Sequence, residues 1–170
     1  MSGSPYAGLG KVDTSTRAHW LAPLSIVVGS LTVLVPFKAS FPILPPFGLM
    51  MLLAWRLHRP DLLKPWAPVL LGFADDLVSG QPMGSSMLFW TVSFIAIDVL
   101  DTRIVWRDFL QDWLLAAGAI SLCLIGGRLV AAPLGAHVDT VLLIQILVSI
   151  ALFPVLSRLV ARLDGKRGAR

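Results

Sequence analysis

The chain has 170 residues, of which 56% are hydrophobic and 14% charged, with a formal net charge of +4. A soluble domain carries about 25% charged residues, and one of this size cannot hide so much apolar surface, so a mean hydropathy of +0.78 points away from a water-soluble globule. The basic residues stand at the ends of apolar runs rather than on one polar face, which argues against a nucleic-acid partner and for orientation in a lipid bilayer.

At about 20 residues per crossing, the chain has room for six helices with short loops, and the apolar runs divide it accordingly. Residues 1–17 are polar and rich in Gly, Ser and Thr, and read as a cytoplasmic N-terminal segment. The first predicted span, Ala18 to Phe37, is full length and lacks a small-residue cleavage site after it, so it reads as an uncleaved helix. The second, Ala39 to Leu57, has Pro42, Pro45 and Pro46 in its first turns, where proline is tolerated because early helical N–H groups lack partners. The third, Leu62 to Val78, is short, with Lys64 near one end and Asp75 and Asp76 near the other.

A turn is predicted at Ser79 to Gly84, from its Gly-Gln-Pro-Met-Gly composition. The fourth span is Ser85 to Leu100 and the fifth Phe109 to Ala132; the sixth, Thr140 to Val160, holds Pro154 as a kink. A basic cytoplasmic tail, 161–170, follows the transmembrane domain of residues 18–160. With the N-terminus inside, every Lys and Arg except Lys38 and Arg128 falls on the cytoplasmic side or its border, which is 12 of 14. This bias favours both termini inside and a second span that crosses rather than re-enters.

Charges within spans carry a cost of roughly 2.5–3.5 kcal/mol each on insertion scales and therefore need an explanation. Asp75 and Asp76 lie about one turn from the outer end of the third span, at a depth similar to Arg128 in the fifth, which permits an ion pair. They could form a proton or substrate site, or brace helices at the interface. Asp98 and Asp101 share a helix face at the inner end of the fourth span. Such a pair could hold magnesium against a diphosphate, or be part of a solvated loop with local ion pairs. If they served a phosphotransferase, Asp98→Asn and Asp101→Asn would abolish activity; otherwise little effect is expected.

His19, His58 and His137 lie at different helix ends and do not converge on a metal. The six tryptophans mostly sit near span ends, as an interfacial belt would place them. Gly72, four residues before Asp76, would let another helix approach beside the carboxylate, and Gly118, Ser121, Gly126 and Gly127 offer the fifth span a similar small-residue face. The lone Cys123 sits in an apolar run and permits no disulfide.

The stretch from Pro65 to Gly84 resembles the rod shape-determining MreD family, whose signature has the form G-x-x-x-D-L-x-x-G-x-x-L/M-G. Gly72, Asp76, Leu77, Gly80, Pro82 and Gly84 match in order, and Trp55 with Arg59-Pro60 matches the preceding aromatic and basic, proline-containing loop. Asp75 has no counterpart in that pattern. The resemblance implies an all-α integral membrane protein, a six-helix bundle similar to the substrate-binding subunits of energy-coupling-factor transporters. It further implies a non-enzymatic part of the bacterial inner-membrane machinery for cell elongation, without cofactor or metal. Its expected partners are a periplasmic scaffold of the MreC type, the MreB cytoskeleton, and the elongation-specific glycan polymerase and transpeptidase. A vitamin-type binding subunit of a membrane transporter is the alternative that the shared fold implies.

Overall fold

A computed structural model describes residues 12–32, 44–80, 82–102, 108–131 and 139–164. Among them are six helices and no strand: α1 (Val12–Leu31), α2 (Phe47–His58), α3 (Ala67–Ser79), α4 (Ser85–Asp101), α5 (Phe109–Ala131) and α6 (Asp139–Leu163).

The last three helices begin and end within a few residues of the predicted spans, while the first three depart from them. α1 starts six residues before Ala18 and closes at Leu31, and the expected end at Pro36 lies outside the described residues. α2 does not carry prolines in its first turns. It starts only at Phe47, with Pro46 in the capping position, because Pro46 pushes Pro45 out of the helical region and neither proline can donate an N–H. Pro42 is outside the described residues. α3 likewise starts five residues later than predicted: Pro65 disfavours helix at Lys64, so Leu62 to Trp66 form turns and Pro68 falls in the first helical turn.

Side-chain contacts fix the helix directions. Trp55 Nε1 donates to Ser25 Oγ at 2.8 Å, while a Cβ on Gly29 would lie 3.1 Å from the Gly48 nitrogen, so α1 and α2 are antiparallel. Gly72 faces Met87 and Ser93 faces Cys123, and these contacts continue the alternation through α3, α4 and α5. α2 and α6 run parallel, since Gln145 Nε2 donates to Leu44 O at 2.7 Å at one end and Arg59 meets Asp164 at 3.1 Å at the other.

α2 is the axis of the bundle. Every residue from Gly48 to Leu57 is buried, packed against α1, α4, α5 and α6. Trp55 and Trp90 are core residues at 0% and 3% exposure, whereas Trp20 and Trp66 are exposed, so the tryptophans do not form one belt. The outer helices invert the soluble pattern. Leu70, Phe73 and Leu77 on α3, and Leu88, Val92, Ile95 and Val99 on α4, are exposed at spacings of three and four, while Asp76, Ser85, Ser86, Ser93 and Ser149 are buried. Contiguous apolar faces of this kind are rare on soluble monomers.

α5 (23 residues, hydropathy 2.0) and the stretch Thr140–Leu163 of α6 (24 residues, hydropathy 2.3) are long and apolar enough to cross a membrane. α2 and α3, with 12 and 13 residues, extend only ~18 and ~20 Å at ~1.5 Å per residue.

Pro154 lies inside α6 and cannot donate to the carbonyl four residues earlier, that of Ile150. Trp113 of α5 fills the gap: its Nε1 donates to Ile150 O at 3.0 Å. The proline therefore creates a docking point for the neighbouring helix. Trp113→Phe is expected to lower stability by about 1–3 kcal/mol, the cost of an unsatisfied buried polar group, read from unfolding in detergent micelles. In a Pro154→Ala background, where the helix supplies its own N–H, most of that loss should vanish; equal losses in both backgrounds would contradict the pairing.

Candidate functional site

The predicted turn between α3 and α4 is built on two left-handed glycines. Gly80 closes α3 with φ 67°, the usual way to end a helix without steric conflict at Cβ, and Gly84 opens α4 with φ 94°. Ser85 N donates to Pro82 O at 3.1 Å and tightens the loop between them.

The turn folds the start of α4 back over the last turns of α3. Gly72 makes that approach possible: a Cβ there would stand 2.7 Å from Met87 Cα and 2.9 Å from Ser86 O. The two backbones touch where a side chain would otherwise separate them.

One turn further along α3, Asp76 is 2% exposed. Its Oδ2 accepts from Gly84 N at 2.9 Å and Met87 N at 3.3 Å. Its Oδ1 accepts from Ser86 N at 2.8 Å and the Ser85 hydroxyl at 3.2 Å. α4 is capped by a glycine, which has no side chain to offer, so the carboxylate of the preceding helix does the capping. It satisfies three amides at a helix N-terminus and lies at the positive end of the helix dipole. A carboxylate has about four acceptor positions, and four donors occupy them. This acid holds two helices together and offers no open position to a substrate.

Asp75 points to the neighbouring side, where its Oδ2 accepts from the Ser86 hydroxyl at 3.0 Å. The two adjacent carboxylates therefore bracket Ser86, one through its side chain and one through its amide. Asp75 also borders a cavity of about 40 Å³ with Trp90, Cys123 and Gly127. Arg128 is half-buried on α5, and among the described residues no ion pair joins it to Asp75 or Asp76. The expected pairing is replaced, for Asp76, by backbone amides. In α5, Gly126 packs under the Phe89 ring, whereas a Cβ on Gly118 would meet nothing within 4 Å.

The opposite end of the bundle holds a second ionic arrangement. Arg56 of α2, with a side chain 4% exposed, donates from Nη2 to Asp98 Oδ1 at 2.5 Å and places Nη1 3.3 Å from Asp101 Oδ2. Its guanidinium stands 5.1 Å from the Phe94 ring centroid. The Asp98–Asp101 pair thus straddles an arginine of another helix, while Asp98 itself stays 67% exposed, so the pair is solvated on one side and ion-paired to α2 on the other. Beside it, the fully buried Asp164 carboxylate receives Arg59 at 3.1 Å and lies 3.7 Å from His58 Nε2. Both contacts tie the C-terminal end of α2, to α4 and to α6. A basic residue and a D-x-x-D pair at the same expected depth were the only signal for the first of them, and that signal does not say which helices are neighbours.

No protein-family model, curated protein or solved structure matches the chain.

Two outcomes follow for stability. Asp76→Asn turns an amide group towards backbone donors and should cost about 3 kcal/mol, the upper range for stranding a buried polar group; an unchanged unfolding midpoint would refute the cap. Asp98→Asn combined with Asp101→Asn leaves a buried, unpaired guanidinium, a loss of about 3–5 kcal/mol in fully buried pairs and less here because Asp98 is 67% exposed. Adding Arg56→Met should recover most of that loss, and a triple variant no more stable than the double would count against the clamp.

Proposed function

We propose that the chain is an integral membrane protein whose six helices cross the bacterial inner membrane with both termini in the cytoplasm. In this reading it is a non-enzymatic, MreD-like component of the cell-elongation machinery and works by holding partner proteins. The observation that carries the reading is the use made of the Gly72–Gly84 motif. Its glycines set a close helix–helix joint and its acid is consumed by backbone amides, as a scaffold requires and a catalytic carboxylate does not.

The alternating helix directions support repeated crossing, as do apolar outer faces on helices whose few buried polar groups meet one another inside the bundle. The C-terminal ends of α2, α4 and α6 share one end of the bundle, the end that the basic residues assign to the cytoplasm. The short α2 and α3 are accommodated by local thinning and by snorkelling of flanking residues, and α2 is sheathed by other helices along its length. The partners in this reading are an MreC-type periplasmic scaffold, the MreB cytoskeleton, and the glycan polymerase and transpeptidase of lateral wall growth. The alternative of a vitamin-binding subunit gains no support from the cavity at Asp75, which at about 40 Å³ has room for water and not for a vitamin.

Depletion of the protein in a rod-shaped bacterium that carries it tests the proposal. Cells should widen and round within a few divisions, with rods restored by the wild-type chain and poorly restored by Asp76→Asn. Rods of unchanged width after complete depletion would sink the reading.

A further inference from the structure

The end of the bundle where α2 stops and α3 begins contains a groove of about 290 Å³. Pro23 of α1, Leu62 of the connecting turn, and Leu70 and Leu71 of α3 line it, together with Lys64 and Trp66. The Lys64 ammonium stands 6.0 Å from the Trp66 ring centroid, and both residues are exposed. Arg56 and Arg59, at the same end, are held by carboxylates. Lys64 has no ion pair among the described residues, and Asp61, three residues before it, does not line the groove.

An apolar trough with one uncommitted cation and an indole beside it matches an amphiphile with an apolar tail and an anionic head. Aromatic and basic side chains of this kind sit at headgroup depth, and basic pockets between helices on the cytoplasmic side take anionic headgroups. We propose that this groove binds an anionic phospholipid, with one acyl chain along Leu62, Leu70 and Leu71 and the headgroup phosphate paired with Lys64. The inference rests on the membrane placement proposed above. A larger groove of about 340 Å³, between α1 and α6, is lined by Leu24, Val28, Leu156 and Leu159 and reaches Phe47 and Met51 of α2. No charged side chain lines it, so nothing there selects a headgroup.

The test places the full chain in vesicles doped with phosphatidylglycerol or phosphatidylcholine carrying the same diazirine-labelled acyl chain. After photolysis, labelling should concentrate in residues 62–71 and be about fivefold stronger with phosphatidylglycerol, the factor one basic residue supplies near a charged surface. Lys64→Arg should keep the preference and Lys64→Gln should abolish it; Lys64 lies in an exposed turn, so neither change threatens folding. Flotation of the same vesicles separates the two ideas. A chain that fails to float refutes the membrane placement and the lipid site with it. A floating chain labelled evenly over its exposed apolar faces, or equally by both lipids, or unaffected by Lys64→Gln, overturns the lipid site alone.

Discussion

Three backbone amides at the start of α4 converge on one carboxylate, that of Asp76, and the arrangement of α3 against α4 follows from that convergence. A helix N-terminus buried in apolar surroundings leaves amides that water cannot reach, each a penalty of about 1–3 kcal/mol if unsatisfied. A buried carboxylate faces the opposite problem, since its charge requires donors. Each defect resolves the other, provided that the chain reverses within a few residues and that the helices nearly touch. Gly80 and Gly84 supply the reversal through their left-handed conformations, and Gly72 supplies the contact.

The same economy governs the other end of the molecule. Arg56 and Arg59 leave the fully buried α2 for a region crowded by the ends of α4 and α6, and acids on those helices receive them. Where the exterior is apolar, the hydrophobic effect does little to hold helices together, and close packing with polar pairs takes over. The buried polar groups accordingly sit between helices: Asp76 joins α3 to α4, Ser25 joins α1 to Trp55 of α2, and Trp113 joins α5 to the carbonyl that Pro154 leaves open in α6. In a bundle held this way, Asp76, Arg56, Arg59 and Asp164 are committed to contacts between helices or their ends.

Some of this was legible in the sequence because it is local. The boundaries of α4, α5 and α6 follow from apolar runs punctuated by charge, Gly and Pro, and the α3–α4 turn from its two glycines and proline. The starts of α2 and α3 were misplaced because apolar content outlasts helical geometry: a run can stay hydrophobic while Pro45, Pro46 and Pro65 forbid the helix. Pairings between distant segments were not legible. Arg56 with Asp98 and Asp101, or Asp164 with Arg59, depends on which helices are neighbours. Trp55 and Trp90 look like interfacial residues at span ends until α2 is seen to be the axis. Asp76 was legible as an anomaly, since an acid in an apolar run demands a reason, but its four donors lie beyond a turn whose hand the residue types alone do not determine.

The Asp76 cap is most directly measured by hydrogen exchange at the backbone amides of Gly84, Ser86 and Met87 in the reconstituted protein. If the carboxylate holds them, all three exchange slowly in the wild type, and Asp76→Ala accelerates them by orders of magnitude while amides in the middle of α5 stay protected. Rapid exchange at these amides in the wild type, or protection that survives loss of the carboxylate, would show that something other than Asp76 joins the two helices.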